Sequence, residues 1–441
     1  MKKMKKHSQR AAAAAAAAAM LAALVPCAAS AAPAANPVIS RGCPAYAGTN
    51  PATASAGCDA FYYSFWNGSA PDDYLAYDLS GVPAAQRQVI DLVWYNTSAY
   101  DVIGMYVNRN QEPSDYTIEV NAAPGGTYPE DGWVVVDTVA GNTLSSRQHV
   151  VDFDGYNWIR FHLTGVDEKT SGTAMINMDI HDVSNGVQDS WLFLGDSITA
   201  MSMNNCYGTG FATFVSEAVP GYFPIQQNGG IGGITSKDGR ENIDRWLDTF
   251  PGRYVSIAYG TNDAWGDQTG AEQYYENTVY MVEAVLARGM VPVVGKIPAS
   301  AEPGVADNLE KYNAMIDRLW EAYPQVVQGP DLYAFFTEHP DYLGGDGVHP
   351  TSDGQEAMRQ YWAQEMAARV YAAEDAPAVV GDVDGSGAVG LTDIVMLQRY
   401  LLGMGQMTAP QNSDVYADGV TDVLDLGALK RLFTSQMYIL H

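Results

Sequence analysis

The period of the apolar residues changes once along this chain, and that change limits the folds open to it. From about Ala60 to Asp182 the apolar residues fall in short alternating or aromatic runs, among them Phe61 to Trp66, Val89 to Tyr95, Tyr116 to Val120, Trp158 to Leu163 and Ala174 to Ile180. Punctuation such as Pro124-Gly125-Gly126, Asp131-Gly132 and Asp154-Gly155 separates them. Runs of this length, alternating and bounded by turn residues, predict β-strands. Roughly eight of them predict an all-β sandwich of jelly-roll type over residues 37–185. From Ser190 to about Ala373, strand-like runs (Trp191 to Leu194, Tyr254 to Tyr259, Val291 to Ile297) alternate with helical stretches (Ile243 to Phe250, Ala271 to Arg288, Asn308 to Tyr323, Ser352 to Tyr371). That pattern predicts a three-layer α/β/α domain with a parallel sheet over residues 186–373. Such sheets bind ligands beyond the carboxyl ends of their strands.

The two ends of the chain read differently. Lys2, Lys3, Lys5, Lys6 and Arg10 precede an Ala-rich apolar stretch to Val25, and Ala29-Ser30-Ala31 offers a small-residue cleavage site, which together predict a signal peptide over residues 1–31. The competing readings are a membrane anchor, for which the run is short and broken by Pro26, and a lipoprotein signal at Cys27. Removing the leader leaves 19 basic against 51 acidic residues, a formal charge of −32. A surface of that sign repels nucleic acid, and the sequence calls for no membrane partner. Cys43 and Cys58 flank a Gly/Ala/Thr-rich loop that a disulfide would close in an exported protein, and Cys206 is left over as a packing residue. At the other end, a linker over residues 374–380 leads to two similar segments that start at Asp382 and Asp414, 32 residues apart, each running into an apolar-periodic helix.

Four loops of the α/β segment hold groups suited to acyl transfer. Gly195-Asp196-Ser197-Ile198 follows a strand and presents a hydroxyl at a turn into a helix. Asn228-Gly229-Gly230-Ile231-Gly232-Gly233 permits close approach of backbone amides. Gly260-Thr261-Asn262-Asp263 supplies a side-chain amide donor. In Asp346-Gly347-Val348-His349-Pro350 the proline biases His349 toward extended backbone and turns Asp346 and His349 to a common side. Each segment alone has an ordinary meaning: a capped turn, a flexible loop, an Asx turn, a surface histidine. Of seven histidines, only His339 and His349 fall near this segment, and only His349 has an acidic residue three positions earlier.

Taken in order, the four segments resemble the blocks of the SGNH or GDSL-type hydrolases. The resemblance implies a Ser197–His349–Asp346 triad, an oxyanion hole from the amides of Ser197 and Gly233 with the side chain of Asn262, and catalysis without a metal. Ile234 stands where relatives often carry an acidic residue. Trp265, just beyond Asn262, is a candidate wall of the substrate pocket.

The C-terminal repeats have the spacing of calcium loops. Asp382, Asp384, Ser386 and Asp393 hold positions 1, 3, 5 and 12 of the first, with the carbonyl of Ala388 between them. Asp414, Asp418, Asp422, Asp425 and the carbonyl of Val420 serve the second, where Tyr416 replaces an expected oxygen ligand. The repeats over residues 381–441 resemble a dockerin, a small α domain that binds the cohesin module of a scaffoldin. That resemblance implies structural Ca²⁺ and a cohesin-facing surface formed by Leu391, Thr392 and Arg399 in one repeat and Val423, Leu424, Lys430 and Arg431 in the other. It points in turn to a secreted, cellulosomal esterase acting on acetylated plant cell-wall polysaccharide, acetylxylan foremost. The rival readings are a non-catalytic carbohydrate-binding subunit and a lipase or thioesterase of the same fold.

Overall fold

The computed structural model describes residues 37–439 apart from 70, 97–110, 167–171, 185–187, 206–207, 221, 251, 373–379, 384–388, 405–406, 408 and 417–419. The expected signal peptide, Cys206, most of the linker, Asp384, Ser386, Ala388 and Asp418 lie outside the described residues. The chain divides into two compact units. One spans the residues up to 372 apart from the short stretch Leu286–Val291, and the other holds the C-terminal segment.

The first unit opens with nine antiparallel strands: β1 (Ala45–Ala47), β2 (Trp66–Ser69), β3 (Asp73–Asp78), β4 (Val89–Asn96), β5 (Pro113–Asn121), β6 (Val134–Val139), β7 (Ser146–Asp152), β8 (Trp158–Val166) and β9 (Thr173–Asp182). They form a five-stranded sheet in the order β1-β3-β8-β5-β6 and a four-stranded sheet in the order β2-β9-β4-β7. Alternation decides which side chains go inside. On β8, Ile159, Phe161 and Leu163 enter the core, and on β4 Ile90, Leu92 and Trp94 do the same from the opposite sheet. Trp66, Trp94 and Tyr116 surround Phe161 at ring-centroid distances of 4.3 to 6.3 Å, and each such side chain stabilises the fold by ~2–3 kcal/mol through burial. The run Phe61 to Trp66 is mostly turn, with the strand beginning only at Trp66. Cys43 and Cys58 meet, but as two free thiols and not as a bonded pair; hydrogen bonding to Cys58, then burial, pushes the Cys43 thiol up.

The same unit continues into a parallel sheet of β10 (Ser190–Gly195), β11 (Ile225–Gly230), β12 (Tyr254–Ala258), β13 (Val291–Lys296) and β14 (Val327–Asp331), in the order β11-β10-β12-β13-β14. The helices between and after these strands are α1 (Ser197–Ser202), α2 (Phe211–Ala218), α3 (Ser236–Thr249), α4 (Thr261–Ala264), α5 (Ala271–Ala287), α6 (Pro303–Ala322), α7 (Leu332–Glu338) and α8 (Ser352–Met366). α1, α2 and α8 pack together as one group, while α3 meets α5 and α4 meets α6 in another. Strand order reverses at β10, so the loops leaving β10, β11 and β12 open at the switch point where ligands bind in sheets of this kind. The outermost strand β11 does not face water alone. Tyr62, Val93 and Tyr95 of the antiparallel part cluster with Ile225, and Gln227 hydrogen-bonds with Gln148 and Ser146 of β7, which covers an otherwise open sheet edge.

In the second unit, α9 (Leu391–Leu401) and α10 (Val423–Ile439) follow the two loops. Val383, Val389, Leu397, Met407 and Leu429 form a core of their own, and Asn412 ties the pieces by donating to the Asp382 carbonyl at 2.8 Å.

Candidate active site

Ser197 and Asn262 sit where strands β10 and β12 have just ended, whereas Asp346 and His349 come from the loop between α7 and α8, well past the end of β14. β10 stops at Gly195, a position that tolerates no side chain, because a Cβ there would fall 2.1 Å from Thr199 Oγ1 and 2.8 Å from the Ala258 carbonyl. Asp196 caps α1 by accepting from the Ile198 amide at 2.9 Å. This makes Ser197 the first helical residue, half-buried, with its amide in the turn whose N–H groups have no partner inside the helix. Burial pushes the Asp196 carboxyl up to about 7, with the neighbouring Asp263 adding to the rise.

The residues of the expected triad are in direct contact. Ser197 Oγ lies 2.7 Å from His349 Nε2, and His349 Nδ1 lies 2.7 Å from Asp346 Oδ2. Asp346 also accepts from the amides of Val348 and His349, at 3.0 Å each. The hydrogen bond from His349, then these two amides, hold its carboxyl down at about 2, so Asp346 is an anion throughout the ordinary pH range. An anion at Nδ1 places the proton there and leaves Nε2 as the acceptor facing the Ser197 hydroxyl. The loop is fixed by Gly347 at φ +70°, whose carbonyl accepts from the Ala301 amide at 2.7 Å and the Ser300 hydroxyl at 2.9 Å, and by the Gly344 amide, which donates to the His349 carbonyl at 2.7 Å.

The donor loops surround the serine. The amide of Ile231 donates to the Gly195 carbonyl at 3.0 Å, which joins the first two blocks. Gly232 lies against Ser197: a Cβ built on it would come 3.8 Å from Ser197 Cβ. Gly233 follows at φ +80°, a backbone conformation that favours glycine. Asn262 Nδ2 donates to the Ile234 carbonyl at 2.9 Å, which occupies one of its two hydrogens and leaves the other for a ligand. Trp265 is 45% exposed, and its indole lies across Gly304, where a Cβ would meet Nε1 at 3.2 Å.

Sequence reasoning missed the brace behind Asn262. The fully buried Asp263 accepts from the Ser236 hydroxyl at 2.5 Å and from its amide at 2.9 Å, and Asn277 Nδ2 donates to the same hydroxyl at 3.0 Å. Its one signal was an acidic residue directly after Asn262. Chemically, the arrangement can take a proton from a hydroxyl, return it to a leaving alcohol, and hold developing negative charge on oxygen.

In the C-terminal unit, Asp393 and Asp425 are fully buried and Asp382 nearly so. Asp393 accepts from the Gly390 amide at 2.6 Å, and Asp425 reaches back to the amides of Tyr416 (2.9 Å) and Asp422 (2.7 Å). Among the described residues no three His, Cys, Asp or Glu side chains converge on one point. Buried carboxylates next to an apolar core nonetheless fit a hard, oxygen-liganded cation, because burying such charges uncompensated is costly. Leu391, Thr392, Arg399, Val423, Leu424, Lys430 and Arg431 are all exposed.

Comparison with known proteins agrees with this division. Residues 193–357 match the GDSL-like lipase/acylhydrolase family, and residues 380–434 match the dockerin type I domain. The chain therefore carries a GDSL-type acylhydrolase domain followed by a dockerin. Over 244 residues it is 22% identical to a multidomain esterase of Ruminococcus flavefaciens, covering 50% of this chain and 30% of that protein; the chain thus spans less than a third of that relative. It is 26% identical over 192 residues to thioesterase 1/protease 1/lysophospholipase L1 of Escherichia coli K12, covering 40% of this chain and 83% of the relative. Among solved structures, the acetylxylan esterase Axe2 of Geobacillus stearothermophilus aligns at 21% identity and a TM-score of 0.33, over 41% of this chain and 94% of that one.

Proposed function

We propose that this chain is an exported carbohydrate esterase that removes acetyl groups from plant cell-wall polysaccharide, acetylated xylan foremost, while its dockerin holds it on a cohesin-bearing scaffold. The observation that carries the reading is the unbroken hydrogen-bonded line from Ser197 Oγ through His349 to Asp346, inside a GDSL-type domain that shares its chain with a dockerin. His349 Nε2 accepts the Ser197 proton as the hydroxyl attacks the ester carbonyl. The amides of Ser197 and Gly233 and the free hydrogen of Asn262 Nδ2 hold the oxyanion. His349 then gives its proton to the sugar oxygen as the bond from that oxygen to the acyl carbon breaks; a water deprotonated by the same imidazole attacks the acyl carbon, and acetate leaves as the proton returns to Ser197 Oγ.

Apart from β5 and β6, which pair in one sheet, successive strands from β1 to β9 fall in alternate antiparallel sheets, an order that supports a jelly-roll reading, and we read them as a carbohydrate-associated domain that also shields β11. In the C-terminal unit, Asp382, Asp393, Asp414, Asp422 and Asp425, with the carbonyl of Val420, are the described groups that would hold Ca²⁺, and the exposed residues of α9 and α10 would face the cohesin. The cation would supply charge that lets the loops close, and takes no part in hydrolysis. The E. coli relative's name includes thioesterase and lysophospholipase activities, which keeps a lipid-directed role as the second reading; the dockerin favours a polymer. Hydrolysis of a chromogenic acetyl ester, lost in Ser197→Ala, followed by acetate release from a panel of acetylated polysaccharides, tests the proposal. An inert wild-type protein would refute it.

A further inference from the structure

Beside the oxyanion donors lies a polar cleft of about 500 Å³, within the range of sites that hold small organic ligands (~300–1,000 Å³). Thr235, Lys237, Arg240 and Glu241 line it on one side, Gln273 and Asn277 of α5 on the other, with Gln268 and Thr269 between. One side of the cleft and Gln268 adjoin the reacting centre. Thr235 follows Ile234, whose carbonyl takes the Asn262 amide, and Gln268 Nε2 donates to the Asn262 carbonyl. With an ester carbonyl at Asn262, the rest of a bulky substrate has this cleft as neighbouring space.

We propose that the cleft is a saccharide subsite that takes a uronate-bearing sugar adjoining the esterified one, with Lys237 and Arg240 as carboxylate partners and Gln268 and Gln273 as hydroxyl partners. The assignment rests on the esterase reading. Two cations and a single acidic residue, Glu241, line this cleft in a chain that has 24 basic residues against 51 acidic ones. Arg240 is pre-positioned: Nη1 donates to Asn277 Oδ1 at 3.2 Å, and the guanidinium lies 4.9 Å from the centre of the Tyr280 ring. A guanidinium has five N–H donors, so this arrangement leaves a planar fork able to grip a carboxylate. Lys237 pairs with Glu241 at 2.8 Å, an exposed pair one helical turn apart. Exposed pairs of that kind contribute little to stability, so a ligand carboxylate can draw Lys237 away at little cost. Asn277 also joins the cleft to the Ser236–Asp263 brace behind Asn262. Among the described residues no aromatic side chain lines the cleft, so recognition there runs through charge and hydrogen bonds and not through ring stacking.

The test is calorimetric titration of the full-length Ser197→Ala protein with an oligosaccharide carrying one uronate residue and with its carboxyl-reduced counterpart. The uronate ligand is expected to bind about tenfold tighter at low salt, with the margin shrinking as ionic strength rises toward ~0.5 M. Adding Lys237→Gln and Arg240→Gln should bring the two ligands close to parity. Arg240→Lys, which keeps the charge but not the fork, should fall between, and Arg369→Gln, which removes a positive charge elsewhere, should leave the margin in place. Equal binding of both ligands by the Ser197→Ala protein, or a margin indifferent to the Lys237 and Arg240 changes, overturns the subsite. A wild-type protein that releases no acetate from any acetylated saccharide, with the binding margin intact, counts against the esterase reading and not against the cleft.

Discussion

Replacing Asn262 by alanine separates catalysis from folding. Its Nδ2 carries two hydrogens; one is committed to the Ile234 carbonyl at 2.9 Å, and the other is the proposed oxyanion donor. Loss of one such donor raises the barrier by ~3 kcal/mol, which is a fall in kcat on the order of a hundredfold. The lost bond to the Ile234 carbonyl contributes ~1 kcal/mol to stability, equivalent to about 2–4 °C in Tm for a domain of this size. The Asp263–Ser236 brace stays in place, since neither residue depends on the Asn262 side chain. Steady-state kinetics on a chromogenic acetyl ester should therefore show the loss in kcat with KM nearly constant, beside a small shift in a thermal scan. A folded variant within a few-fold of wild-type kcat would refute the oxyanion role. A loss carried mainly by KM would mean that Asn262 binds substrate and transition state alike.

Other outcomes follow from the same geometry. Asp346→Asn keeps a side chain of the same shape but removes the anion that fixes the His349 tautomer, so kcat should fall by ~10³–10⁴; a loss below tenfold would show that the acid lies elsewhere. Because the Asp346 carboxyl is held down at about 2, it does not titrate between pH 4 and 8, and an acid limb seen in that range of the wild-type pH–rate profile does not belong to Asp346. Asp91, Asp189 and Asp196 are each pushed up to about 7 by burial. Their folded forms keep protons that the unfolded chain releases near pH 4, so stability should rise as pH is lowered from about 7 toward about 5, by at most ~1.4 kcal/mol per pH unit for each group. Urea midpoints measured at pH 7.5, 6.0 and 5.0 check this, and a fall over that range would contradict it. Calcium chelation should lower the helical signal of the C-terminal unit and abolish cohesin capture while hydrolysis of the chromogenic ester stays near its starting rate; loss of hydrolysis on chelation would tie the metal to the active site.

The sequence makes the chemistry more legible than the architecture around it. Ser197, Gly233, Asn262 and His349 stand in short segments whose residue types are dictated by local turns, and Asp346 is three residues from its partner. Gly195 and Gly260 mark the ends of β10 and β12, and Gly347 marks the turn before His349, each where a close approach or a positive φ requires glycine. Strands β3 and β7 were not legible, because Asp73–Asp78 and Ser146–Asp152 mix charged and apolar residues that make sense only once their pairing with β8 and β4 is known. The Asp263–Ser236–Asn277 brace and the Lys237–Arg240 cleft join residues up to 42 positions apart, and no local pattern marks them. The covering of β11 by the antiparallel part depends on Tyr62, Val93 and Tyr95 meeting Ile225, four residues that read in isolation as ordinary core. Cys43 and Cys58, expected as a bonded pair, are free thiols whose side chains interact.

The most direct measurement is covalent trapping. The wild-type chain is incubated with a fluorophosphonate that mimics an acyl transition state, and the modified peptide is identified by mass spectrometry. Stoichiometric labelling on Ser197, absent in Ser197→Ala and slowed by orders of magnitude in His349→Ala, is the expected result. Labelling on another residue, or none on a folded protein, would contradict the account.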